Sequence, residues 1–278
     1  MKKILQTDKR LVMGVGILIF IFFIGIFAPW IAPHDPLTVH LTDRLQPPNW
    51  TYPFGTDHLG RCILSRIIYG VRISVIYAVV ILVLTLFISI PIALITGYVR
   101  GRTDHLLMRA IDSTLAIPDI VLTIAIVGLL GPSLINMVVA IVLVRWASYV
   151  RFIRSLVIKI CKEDYLLSAR MAGNSHFRIL RRYILPQIII PILIFSALDM
   201  GKIVLNIAGL SFLGLGSQPP NPEWGAMLND ATAYFQIAPH VMIYPGLSIV
   251  LFVLACQIIS EHFQNSGIAS GKEGKNVY

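Results

Sequence analysis

No charge interrupts the chain from Leu11 to Ile31, directly after Lys2, Lys3, Lys9 and Arg10. A run of about 21 residues spans a bilayer and exceeds a secretory leader's apolar region of roughly 7 to 15, so it predicts an uncleaved first helix, with a cleaved leader as the alternative. Ile73 to Tyr98 is again free of charge, and its Pro91 and Gly97 are tolerable in a lipid-embedded helix. From Ser113 to Val144 the only charge is Asp119, and Gly131, Pro132 and Ser133 break the stretch into a third and a fourth helix, the latter running to Val150. Pro186 to Leu210 and Val241 to Ser260 supply the fifth and sixth. The pattern predicts an all-α polytopic membrane protein with six transmembrane helices.

Composition agrees: 56% of the 278 residues are hydrophobic and 13% charged, with a mean hydropathy of +0.77. A soluble domain would carry roughly 25% charged residues. The net charge of +9 could suggest nucleic acid, but the basic residues sit in loops between apolar runs. Seventeen of the 23 Lys and Arg lie in segments that six spans place on one side: the amino end, 100–112, 151–182 and the tail. By the positive-inside rule both termini are cytoplasmic. The odd set of Cys62, Cys161 and Cys256 has no CxxC spacing and reads as packing residues. Phosphate-loop, HExxH and GxSxG motifs are lacking, so enzyme chemistry has no support and no cofactor is expected.

The loops divide the chain into 1–72 (first helix, outer loop and interfacial helix), 73–260 (a core of five helices with a loop at about 162–185) and 261–278, a tail predicted to be disordered. Within the 162–185 loop, Lys162 to Ala172 favours helix, Gly173 suits a left-handed C-cap, Asn174 or Ser175 can cap a second helix, and Phe177, Leu180 and Ile184 are expected on one face. Such a unit either docks on a partner or lies on lipid headgroups. Asp57 to Arg72 predicts an amphipathic interfacial helix capped by Thr56. The Gly- and Pro-rich 211–240 loop suggests an outer gate or a platform, with Glu223 and Asp230 as exposed carboxylates. Asp199 and Lys202, three apart with Asn206 a turn beyond, either line a path or form a packing ion pair. Arg145 and Asp119 are expected near span ends. Met137, Met200 and Cys256 read as packing residues, and His34, Asp35, His40 and Asp43 match no standard metal motif, so no metal site is expected.

Four stretches carry a family resemblance. The spacing of Tyr165, Ala169, Arg170, Gly173, Arg178, Leu185 and Pro186 resembles the EAA loop of permease subunits of ABC importers, with a departure at Leu167, Ser168 and Ala169, where Glu-Ala-Ala would stand. Phe54 to Ser74, Tyr98 to Asp112 and Ala208 to Leu228 are similar to stretches of the dipeptide, oligopeptide and nickel permease family, with Cys62 where Asp is usual.

The resemblance implies a type I importer permease (MetI-like) fold in a bacterial inner or plasma membrane. It implies an ATPase-coupling loop built on Tyr165, Ser168, Ala169, Arg170, Gly173 and Arg178, and outer contacts from Phe212, Glu223, Trp224 and Asp230. The implied partners are a second permease subunit, two ATPase subunits and an extracytoplasmic substrate-binding protein, besides the lipid bilayer; no nucleic acid is expected. Asp199 to Asn206 and Pro222 to Asp230 look more like the nickel branch, so the expected cargo is nickel or another divalent metal, free or chelated, with a dipeptide or oligopeptide as the alternative. A gradient-driven carrier and a membrane scaffold are the rivals from other classes.

Overall fold

The computed structural model describes residues 9–273, and among them every regular element is helical. In chain order these are α1 (Lys9–Ile26), α2 (Ala28–Ile31), α3 (Ile63–Val99), α4 (Arg102–Leu115), α5 (Asp119–Leu130), α6 (Leu134–Ile160), α7 (Asp164–Met171) and α8 (His176–Ile179). A π-helical turn, Leu180–Ile184, joins α8 to α9 (Leu185–Phe212), followed by α10 (Trp224–Ala231) and α11 (His240–Glu273). Five helical stretches are long and apolar enough to cross a membrane: α1, α3, α6, the run His176–Phe212 and α11.

Where the third span was expected there is a bent pair, α4 and α5, with 90° between them. Ile117 precedes Pro118, and that position disfavours helix, so the chain breaks there. At 1.5 Å per residue the 12 residues of α5 reach only about 18 Å. Asp119 opens α5, where the helix dipole favours its charge. Helix α11 runs as far as Glu273, and residues 274–278 and the basic Lys2 and Lys3 lie outside the described residues.

The chain forms two compact units. One takes in the chain up to Val79, Val127–Met137 and the chain from Ala197 onward. In it α1 packs on α11, Gly14 lying against Ile258 and the Ala255 carbonyl. The other takes in Val80–Ile126 and Val138–Ser196. Its core holds Ala93, Ile111, Tyr149, Ile153, Val157 and Ile188, all fully buried.

In this second unit α6 passes the expected end at Val150 and runs to Ile160 despite Arg151 and Arg154. Both arginines have carboxylate partners on α4: Arg151 meets Asp112, and Arg154 grips Asp104 at 2.8 and 2.6 Å. Arg145 therefore lies mid-helix, only 6% exposed, rather than near a span end.

Candidate functional site

Two groups of residues stand out, one in each unit. The first is the 162–185 loop. Helix α7 follows Glu163 in extended conformation and ends where Gly173, at φ +75°, reverses the chain, its N–H bonding the Arg170 carbonyl at 3.0 Å. A positive φ is open to glycine and strained for other residues. Ser175 then caps α8, its hydroxyl accepting from the Arg178 N–H, and the Asn174 amide donates back to the Ala169 carbonyl at 2.9 Å. Of the two candidates for capping the second helix, Ser175 is the one in use, while Asn174 bonds back to the end of α7 instead.

Leu166, Ile179 and Ile184 are buried in the unit's core, each contributing about 1.5–3 kcal/mol as apolar surface leaves water. The face expected from Phe177, Leu180 and Ile184 is different in fact: Ile179 and Ile184 point inward and Phe177 is 72% exposed. The π-helical turn between them shifts the register, so positions five apart share the buried side. On α7, Ala169 is buried while Ser168 and Arg170 are exposed, and the Arg170 guanidinium sits 4.9 Å over the Tyr98 ring. The Tyr98 hydroxyl in turn lies 2.8 Å from His176 Nδ1. Tyr165 is 39% exposed, and burial of the rest raises its phenol pKa, keeping it neutral.

Pointing away from the core are Leu167, Met171 and Phe177, at 57%, 75% and 72% exposed. They flank the Gly173 turn, and a Cβ built on Gly173 would meet nothing within 4 Å. The loop is therefore a firmly anchored helix–turn–helix that presents large apolar side chains and an open backbone turn outward. Sequence reasoning missed Leu167 and Met171 in this role, although their i, i+4 spacing on a short helix was a usable signal.

The second group lies in the other unit, around Asp57. The predicted interfacial helix over 57–72 is replaced by a turn at 57–62, and α3 starts only at Ile63. The Asp57 carboxylate explains this: Oδ1 accepts from the Leu59 and Arg61 N–H groups at 2.9 and 3.0 Å, and local bonds of this kind outcompete helix. Gly60 supplies the positive φ of the turn. Thr56 does not cap a helix; its hydroxyl donates to the Asp43 carbonyl and accepts from the Gln46 N–H.

Asp57 Oδ2 receives Arg61 Nε at 2.7 Å and lies 3.5 Å from Arg66 Nε, with all three residues at most 4% exposed. Arg66 donates to the carbonyls of Pro36 and Pro220 at 3.3 and 3.4 Å, and Arg61 Nη2 is 3.6 Å from Asp230. One ionic knot thus ties residue 36, the 57–66 turn and the 220–230 segment together.

Glu223 and Trp224 correct the picture of an exposed acidic loop, being 0% and 1% exposed. Glu223 caps α10: Oε2 accepts from the Ala226 N–H at 2.8 Å and Oε1 from the Ser74 hydroxyl at 3.1 Å. Trp224 donates from Nε1 to the Ile67 carbonyl at 3.2 Å. Asp230 is partly covered beside Arg61, a cation distant in sequence, and Phe212 is half-buried, its carbonyl accepting from Asn229 at 2.6 Å.

Burial pushes the Glu223 carboxyl above its ordinary 4.5, and hydrogen bonds from Gly225, Ala226, Ser211 and Ser74 pull it only part of the way back. A raised folded-state pKa adds stability that is fully present below 4.5 and is lost as pH rises through the folded value. Glu223→Gln should remove that slope: its melting temperature relative to wild type should rise with pH across that window. A pH-independent difference in thermal unfolding would mean that Glu223 keeps its ordinary titration.

The remaining expected positions do not converge on a site. Asp199 is buried at 5%, Lys202 is exposed and Asn206 is half-buried. Met137 and Cys256 are buried packing residues. Asp35 bonds the N–H groups of Leu37 and Thr38, and Asp43 bonds Gln46 and Tyr52, so both carboxylates near His34 and His40 fold the outer loop. Among the described residues no group of three His, Cys, Asp or Glu is arranged to hold a metal ion.

The chain is similar to known proteins over most of its length. Residues 89–266 match the model of the binding-protein-dependent transport system inner membrane component, and 3–48 match the N-terminal TM domain of oligopeptide transport permease C. The di/tripeptide transport system permease protein DppC of Pseudomonas aeruginosa is 38% identical over 93% of this chain and 88% of its own. The nickel transport system permease protein NikC of Escherichia coli is 36% identical over 90% of each. The metal-staphylopine import system permease protein CntC of Staphylococcus aureus is 36% identical over 95% of this chain and 91% of its own.

Proposed function

Because the chain belongs to the family of binding-protein-dependent transport system inner membrane components, we propose that it couples ATP hydrolysis in separate ATPase subunits to passage of a divalent metal, free or chelated. The observation that carries the coupling role is the anchored 162–185 loop with Leu167, Met171 and Phe177 turned outward around Gly173. An ATPase subunit docking there would cover those side chains and move the loop as a rigid body, since Leu166, Ile179 and Ile184 fix it to its core. Arg178, on α8 after the Gly173 turn, borders the same surface.

In this reading the basic loops and both termini face the cytoplasm, and a second permease subunit completes the pathway. The substrate-binding protein meets the outer loops. With Glu223 and Trp224 buried, its contacts fall to exposed neighbours such as Leu213, Phe235 and Ile237. Asp57, Arg61 and Arg66 hold that platform together rather than touch cargo.

The metal reading rests on the likeness of 199–206 and 222–230 to nickel permeases, supported by relatives that carry nickel and a metal–staphylopine complex. The dipeptide reading has its own support in relatives at 38% identity. Uptake separates them: cells carrying the intact transporter, supplied with radioactive nickel with and without cell-made chelators, should accumulate the metal, and deleting this chain should abolish it. Accumulation of a labelled dipeptide alone would reject the metal cargo and leave the importer role intact.

A further inference from the structure

We infer that a basic groove at the foot of α9 holds the phosphate headgroup of an anionic phospholipid. Ser175, Phe177, Arg178, Arg181, Arg182 and Pro186 line an open groove of about 510 Å³ in the second unit. Three guanidinium groups face it and no carboxylate does. Arg178 has one weak contact, to Asn174 at 3.5 Å, and among the described residues Arg181 and Arg182 have no hydrogen-bonding or ionic partner. Arg151 and Arg154 of the same unit each meet an aspartate. Three unneutralised cations beside one cavity repel one another until an anion arrives, and guanidinium pairs match the oxygen spacing of a phosphate.

The surface above the groove selects among phosphates. Continuing along α9, Ile189, Ile190 and Leu193 are 43%, 67% and 60% exposed. At 1.5 Å per residue, Arg182 to Leu193 covers about 16 Å, close to half of a hydrocarbon core of roughly 30 Å. The site is thus cationic at one end and apolar for the depth of one leaflet beyond it. A phospholipid has that same polarity and length. Free phosphate would satisfy the arginines and leave the apolar stripe unused, and so would an acidic protein surface. The inference requires only that the chain lies in a bilayer and is independent of the cargo; Phe177 and Arg178 also border the surface proposed for ATPase docking, so the test is placed on Arg181 and Arg182.

The test uses the full chain, delipidated in detergent, then exposed to phosphatidylglycerol or phosphatidylcholine and weighed intact by native mass spectrometry. Wild type should retain phosphatidylglycerol about tenfold better, since each basic residue near an anionic headgroup adds appreciably to binding. The preference should vanish in R181Q/R182Q, be weakened but not lost in R181K/R182K, which keeps the charge without the guanidinium fork, and be unchanged in R100Q/R102Q, which removes the same charge elsewhere. Equal melting temperatures would show that the variants are folded, as expected for exposed side chains. Retention by R181Q/R182Q at the wild-type level overturns the site, and so does equal loss in R100Q/R102Q, which would mean bulk charge. Displacement of the lipid by equimolar inorganic phosphate, or a wild type without preference, overturns the lipid as occupant in favour of a free anion or an acidic protein surface respectively.

Discussion

Asp57→Ala should leave little folded protein in the membrane. The substitution removes the carboxylate that neutralises Arg61 and Arg66, both at most 3% exposed, and also frees the backbone N–H groups of Leu59 and Arg61. Breaking a buried ion pair from one side costs about 3–5 kcal/mol, because the remaining charge stays buried without compensation. Asp230 lies 3.6 Å from Arg61 and reaches Arg66 only at longer range, so it relieves the two arginines in part. Against a total stability of about 5–15 kcal/mol the loss is large. Asp57→Asn should fall between, keeping an acceptor for the turn while losing the charge. Thermal unfolding of detergent-solubilised protein, with membrane levels measured alongside, reads both effects. Adding Arg61→Leu to Asp57→Ala should recover part of the loss, since the pair's interaction energy is shared. Wild-type melting of Asp57→Ala would show the knot to be incidental.

That knot also marks where local pattern stops being informative. Apolar positions at Leu59, Ile63, Ile67 and Val71 suggested one amphipathic helix from Asp57, and from Ile63 onward the helix is there. Before it, the Asp57 side chain competes for backbone N–H groups, and nothing in the hydrophobic period reports such competition. Charges misled for a related reason. Arg151 and Arg154 suggested that the fourth span ends at Val150, yet the helix continues because Asp112 and Asp104, some 40 to 50 residues earlier, meet them. Glu223 and Asp230 appeared exposed because no cation lies near them in sequence; burial under α10's own cap and the distant Arg61 decide otherwise.

What was legible depended on length or on a backbone requirement. Uncharged runs of about 20 residues have few soluble alternatives, and five single helices and one bent pair answer to the six expected. The turn at Gly173 was legible because a glycine followed by Asn and Ser between two helix-forming segments has one simple solution. The outward face of Phe177 was not, since a π turn changes the period without a sequence mark.

Gly173→Pro should abolish uptake while leaving the protein at its normal level. Proline holds φ near −65° and has no N–H, so it can neither reach +75° nor bond the Arg170 carbonyl. The turn must open, and α7 and α8 lose their mutual orientation. Each helix keeps its own anchor, Leu166 for α7 and Ile179 with Ile184 for the second arm, so the unit's core survives. Gly173→Ala tests the same point more gently. Its Cβ meets no atom of this chain within 4 Å, and only the backbone strain of about 1–2 kcal/mol remains. A partner pressed onto the open turn would add its own clash, so alanine should lower uptake by more than its small effect on melting temperature implies. ATPase activity stimulated by the loaded binding protein, measured in reconstituted complexes, should fall in the same order: wild type, alanine, proline. Undiminished uptake by Gly173→Pro at normal membrane level would remove the coupling role from this loop. Uptake that persists without any ATPase would point instead to a gradient-driven carrier.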